Sequence, residues 1–128
     1  MSKEEPRFLA ANEVYFLHDQ SLKRFGGAQG LRDPGFVESA RGSAQNVYWY
    51  GRGDRFEIAA AYAFHIAESQ AFLDGNKRTA VAAAMAFLRL NGFPFSEDDG
   101  SLYKAMIEIA NKKMDKTGLA EVLRNLAH

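Results

Sequence analysis

The chain has 128 residues, 47% of them hydrophobic and 25% charged, which is enough for one domain with a real core. Sixteen basic residues balance sixteen acidic ones, so no overall field points to nucleic acid or to an anionic membrane. The absence of cysteine excludes a disulfide framework and a thiolate metal site, and agrees with a reducing compartment.

The start, Met1-Ser2-Lys3-Glu4-Glu5-Pro6, is charged and has no apolar centre, unlike a signal peptide. The apolar stretch from Ala80 to Leu88 is too short to span a bilayer. A cytoplasmic domain, 1–128, with no membrane partner is the resulting expectation.

Taken in order, the first predicted helix covers Asn12 to Arg24, with Val14, Leu17, His18, Ser21 and Leu22 near one face and Gly26-Gly27 as its stop. Asp33-Pro34 predicts the next start, because Asp33 can cap free amides while Pro34 occupies a first-turn position that needs no donor. That helix is expected to run to about Ala44. Residues 46–54, with Tyr48, Trp49 and Tyr50 followed by glycines, read as an aromatic loop, either a hydrophobic plug or a lid and partner surface.

A third helix is predicted over Arg55 to Ser69. A fourth, Lys77 to Leu90, is apolar almost all round and is expected to be the central buried one. Its alanines between Ala82 and Ala86 would let neighbours approach closely, and Asn91-Gly92 ends it. A fifth helix is expected over Gly100 to Lys112, and a sixth over Gly118 to Ala127 with Thr117 as its cap. No stretch alternates with period two for long, so the fold class is all-α: a compact bundle of about six helices around one buried helix.

The loop before the fourth helix carries the chemistry. Free amides at a helix start favour acidic residues in the first turn. Lys77 and Arg78 stand there instead, and each costs about 0.3–1 kcal/mol if unanswered. An anion at that end removes the conflict. Gly75 allows close backbone approach, Asn76 offers a donor, Arg78 a forked guanidinium and Lys77 a point charge. Asp74, a lone carboxylate beside phosphates, suits Mg²⁺. The plainer alternative is a polar turn whose cations reach into water. Phe72 would pin the loop to the core.

The run from Gln70 to Ala80, Gln-Ala-Phe-Leu-Asp-Gly-Asn-Lys-Arg-Thr-Ala, resembles the Fic motif, His-x-Phe-x-(Asp/Glu)-Gly-Asn-Gly-Arg. It is closer still to the death-on-curing (Doc) branch, where Lys replaces the last Gly. Phe25-Gly26-Gly27, the segment from Gly30 to Gly35, Glu38-Ser39-Ala40 and the segment from Phe87 to Gly92 extend the resemblance over roughly residues 8–93. It implies the Fic/Doc fold and an enzyme that moves part of ATP onto a hydroxyl of a protein.

Typical Fic proteins transfer AMP, whereas the Doc branch passes the γ-phosphate to a threonine of elongation factor Tu. Lys77, and Val81 where many Fic proteins carry a further Arg, favour the Doc branch. By this mapping Asp74 holds Mg²⁺, while Gly75, Asn76, Lys77 and Arg78 hold the phosphates of ATP. Arg78 and the residue at position 70 serve catalysis. The implied partners are a translation factor as substrate and an antitoxin chain acting in trans.

One position departs from the pattern: the motif histidine is Gln70. An amide is no general base, and losing one costs about 10²–10⁴ in rate. Phosphoryl transfer relies mostly on positioning and charge neutralisation, so Gln70 is compatible with a slow kinase, an altered transfer such as AMP transfer, or a nucleotide- or partner-binding module without catalysis. His65 would sit roughly 140° round the helix from position 70 and is expected to be a half-buried histidine with a backbone partner. His18 could reach either core or site, and His128 is terminal. Thr117 to Val122 approaches the self-inhibitory pattern of many Fic proteins without its final residue.

Overall fold

Three aspartates set helix starts. The Asp33 carboxylate accepts from the Gly35 amide at 2.9 Å, with Pro34 in the first turn. Asp54 accepts from the Glu57 amide at 2.9 Å while Glu57 accepts from the Asp54 amide at 2.8 Å, a reciprocal capping box. Asp115 accepts from Gly118 at 2.8 Å. In the computed structural model, which describes residues 5–93 and 100–126, these starts belong to an all-helical chain. The elements are α1 (Ala11–Phe25), α2 (Pro34–Trp49), α3 (Arg55–Ser69), α4 (Asn76–Leu90), α5 (Ser101–Ala110) and α6 (Lys116–Leu126). Among the described residues the one β-like feature is an isolated antiparallel bridge between Leu31 and Phe72. No helix among them is long and apolar enough to cross a membrane. Met1 to Glu4, the end of the expected sixth helix at Ala127, and His128 lie outside the described residues.

Three expectations need correction. The second helix does not end near Ala44: no breaker intervenes before Gly51, and the Tyr50 amide still bonds Asn46 O at 2.9 Å. Tyr48 and Trp49 are therefore the last turn of α2, not a loop. Tyr48 meets the Phe8 ring edge-on at 6.1 Å, whereas Trp49 and Tyr50 are exposed, so the plug and surface readings divide by residue. Thr117 is not the cap of α6, because Asp115 reaches the free amide first and the helix begins at Lys116.

The central helix is α3 rather than α4. Every residue from Ile58 to Ala63 is fully buried, and Ile66 and Ala67 continue the core. Its alanines let α2 and α4 close on two sides, with α5 and α6 also packed against it. In α4 only one side is buried, through Thr79, Ala80, Ala83, Ala84, Phe87 and Leu88. Its other apolar residues, Val81 and Met85, face a groove shared with Leu17 and Phe25 of α1. An apolar pattern does not distinguish a core from a groove wall.

The segment ahead of α1 is fixed by side chains from α2, from α3 and from Asn91, the residue that follows α4. Asn91 exchanges two hydrogen bonds with the backbone of Arg7, at 2.8 and 3.1 Å. Arg41 Nε donates to Leu9 O at 2.9 Å, and the buried Tyr62 hydroxyl accepts from the Leu9 amide at 2.9 Å. This sets where α1 begins, and so where its far end meets the loop before α4.

Burial pushes the Tyr62 phenol up to about 12 from its ordinary 10. The folded pKa is the higher one, so this contribution is complete below pH 10 and is lost as pH rises from 10 through 12. Tyr62→Phe leaves the Leu9 amide buried without an acceptor. It should cost about 1–3 kcal/mol near neutrality and lack the alkaline loss carried by the phenol. Urea unfolding across that pH range checks both; unchanged stability of the variant would show that the bond contributes nothing.

Candidate anion-binding site

α3 ends at Ser69, and Gln70 turns the chain through a left-handed conformation, φ 54° and ψ 55°. Ala71 and Phe72 then drop into the core. The His18 ring stacks on Phe72 at 3.8 Å with 9° between planes, and Tyr15 meets it edge-on at 6.1 Å. Phe72 is thus the buried pin of the loop. His18 also uses its second end: Nε2 lies 2.8 Å from Asp74 O, and since a carbonyl can only accept, His18 donates. Sequence left His18 between core and site, and it serves both.

The rest of the loop is held from two directions. Asn76 Oδ1 accepts from the Phe72 amide at 3.0 Å and Nδ2 donates to Phe72 O at 2.9 Å. Across the chain, the Arg32 amide donates to Ala71 O at 2.9 Å and the Leu73 amide to Gly30 O at 3.0 Å. Gly30 is obligatory here: its φ is 143°, and a Cβ would stand 2.4 Å from Leu73 Cδ1. Gly75, at φ 78°, makes the left-handed entry into α4.

Of the residues expected to bind, Asp74, Gly75, Asn76, Lys77, Arg78 and Gln70 all line one open cleft of about 460 Å³, together with Phe25 and Tyr103. α4 starts there without a side-chain cap and with no acidic residue in its first turn. Each polar atom of the Asn76 side chain makes one bond to Phe72, which orients the amide and leaves a second N–H on Nδ2, beside the backbone amide, for a ligand. Asp74 is exposed; its Oδ2 accepts from the Ala28 amide at 3.1 Å, which aims the carboxylate along the cleft rim. Gln70 is exposed, and Arg32 Nη1 approaches its Oε1 at 3.4 Å.

Arg78 is held in a way the sequence did not signal. Its Cζ lies 4.0 Å from the Phe25 ring centroid and 3.9 Å from that of Tyr103. Phe25 was legible only as the residue before a glycine stop and as part of the family resemblance, and Tyr103 lies on α5, where no local pattern ties it to the loop.

The remaining candidates fall elsewhere. His65 meets the Lys116 side chain at 3.3 Å rather than a backbone partner, and burial and that cation lower its pKa. Glu121 pairs with Arg124, which also bridges to Asp54 at 2.8 Å, so the Thr117 to Val122 stretch braces α6 against the start of α3. Among the described residues no group of three or more His, Cys, Asp or Glu is placed to hold a metal. A metal bound through Asp74 would therefore share its coordination with a ligand and water.

Comparison with known proteins gives a family match described as the Fic/DOC family over residues 8–88. The chain is 35% identical over 121 residues to "Protein kinase doc" of Escherichia phage P1, covering 94% of this chain and 95% of that protein. It is 36% identical over 107 residues to "Toxin Doc" of Mycolicibacterium smegmatis, covering 80% and 82%.

Asn76→Ala removes both bonds to Phe72. It should lower stability by about 1–3 kcal/mol and speed amide exchange at Leu73 and Gly75 more than in α6. Exchange rates unchanged in the loop would show that Phe72 alone holds it.

Proposed function

The chain belongs to the Fic/Doc family, and on that premise we propose that it is a Doc-like toxin that transfers phosphate from ATP to a hydroxyl of a protein target. The observation carrying this is the loop from Asp74 to Arg78, a rigid backbone turn that brings two cations and one carboxylate to a single cleft. The names of its relatives, a protein kinase and a toxin, favour the Doc reaction over AMP transfer.

In this reading the first-turn amides of α4, with Lys77 and Arg78, take the phosphates. Asp74 suits Mg²⁺, which binds through one or two carboxylates and takes its other ligands from water and phosphate oxygens. When bound, the ion supplies charge neutralisation at the phosphates. The target's hydroxyl oxygen bonds the γ-phosphorus as the bond to the bridging oxygen breaks. ADP leaves, and the hydroxyl proton goes to the transferred phosphate or to water. Gln70, whose amide has no basic nitrogen, orients the hydroxyl by hydrogen bonding. The protein target is a translation factor, and restraint comes from an antitoxin chain.

A second reading rests on Gln70 itself. Without a base at position 70, the same cleft serves as a nucleotide- or partner-binding module, or supports AMP transfer at low rate.

Incubation of the full chain with cell extract and ATP labelled at the α or γ position separates these. Label on a protein from γ-ATP is expected, and Gln70→His should raise the rate by about 10²–10⁴. Label from α-ATP alone would instead establish AMP transfer. No transfer with either label, even in Gln70→His, would leave the binding module. Arg78→Ala should abolish ATP binding in calorimetry, and unchanged affinity would remove the anion site altogether.

A further inference from the structure

Arg78 differs from Arg124 and Arg41 in what holds it; Arg24 also reaches the Phe25 ring, with its Cζ 5.1 Å from the centroid. Arg124 is fixed by the carboxylates of Asp54 and Glu121, and Arg41 by Glu38 and a backbone carbonyl. Their N–H groups are spent on those contacts. Arg78 is half-buried at the head of α4, yet among the described residues it has no carboxylate or carbonyl partner. Its contacts are the Phe25 and Tyr103 rings, with centroids 4.0 and 3.9 Å from Cζ.

Both distances put a ring within cation–π reach, and a planar guanidinium has two faces that rings can cover while its N–H bonds stay at the edge. Arg78 and both rings line the cleft with Lys77 and Asp74, and Arg78 and Phe25 also border the groove beside Val81.

We propose that Phe25 and Tyr103 are positioning residues that clamp Arg78 by its faces and aim its N–H edge at an oxyanion in the cleft. The inference rests on the nucleotide reading above and deepens it. A carboxylate would hold Arg78 equally firmly, but it would consume the donors and cancel the charge. Ring faces hold the cation while leaving both available. The clamp also removes rotamer freedom before the ligand arrives, which lowers the cost of binding. It has a consequence for selectivity as well. With both faces covered, a nucleobase cannot stack on Arg78, and only a group able to meet a planar edge, such as a phosphate, is recognised there.

The test uses the full chain with two probes, ATP and inorganic tripolyphosphate, in titration calorimetry. Tyr103→Leu is expected to weaken both by about 5- to 30-fold, while Tyr103→Phe stays within about two-fold. In an Arg78→Gln background the same Tyr103→Leu change should cost less than about two-fold. Phe25→Leu, at a helix end, provides a second variant should Tyr103→Leu fail to fold.

The clamp is also read without ligand, as an upfield ring-current shift of the Arg78 Nε–H resonance, lost in Tyr103→Leu and kept in Tyr103→Phe. Equal losses of affinity in both backgrounds, no loss in either, or no ring-current shift would overturn the proposal. Failure of either probe to bind the wild-type chain would overturn it too. Tyr103-dependent tripolyphosphate binding without phosphate transfer sinks the kinase reading and leaves the clamp standing. Transfer with unaltered affinity in Tyr103→Leu does the reverse.

Discussion

The cleft depends on the one side chain that closes its loop. Asn76 closes two hydrogen bonds on the amide and carbonyl of Phe72, four residues earlier, and so converts the connection between α3 and α4 into a ring of fixed size. A loop closed on itself at its buried residue has little freedom left at its exposed ones. His18 then fixes the Asp74 carbonyl, and the Leu31–Phe72 bridge fixes the loop's outer edge. Leu73, Asp74 and Gly75 are displayed because their neighbours on both sides are committed to the core.

That arrangement explains why the two halves of the loop behave differently. From Phe72 onward the Phe72 amide and carbonyl, the Leu73 amide and the Asp74 carbonyl are tied to α4, the segment after α1 and α1. Gln70 stands just outside this ring, at the left-handed end of α3, with one long contact from Arg32 as its recorded side-chain partner. The binding half is therefore set by backbone closure and does not rely on what stands at position 70. A change there alters the chemistry available at the cleft while the loop from Phe72 to Gly75 keeps its shape, which is why the fold and the catalytic competence of this chain are separate questions.

What was legible in the sequence follows the range of the forces involved. Asp33-Pro34 announced its helix because capping acts over two or three residues, and α3 began and ended where composition placed it. The cation pair Lys77-Arg78 at a helix start announced the cleft for the same reason: the conflict with the free amides is local. Most of the misreadings were non-local; the Thr117 cap was the local exception, since Asp115 reached the free amide first. α2 runs past Ala44 because Phe8, forty residues upstream of Tyr48 in the chain, gives its last turn a surface to pack on. α3 rather than α4 is central because four helices converge on its alanines, and an apolar stretch cannot say how many neighbours it will meet.

Charge makes the remaining step. The chain as a whole carries no net charge, so attraction of an anion must come from a local excess, and an excess survives only where cations are kept from pairing with acids. On α6 the opposite choice is made: Arg124 is surrounded by Asp54, Glu57 and Glu121, and its field is cancelled where it arises. At the head of α4 the first turn has no acid, and Arg78 is braced by aromatic faces, which hold a cation without neutralising it. The single nearby carboxylate, Asp74, is drawn toward the Ala28 amide. A neutral protein thus keeps a cationic edge at the head of α4 by supporting Arg78 on ring faces rather than carboxylates.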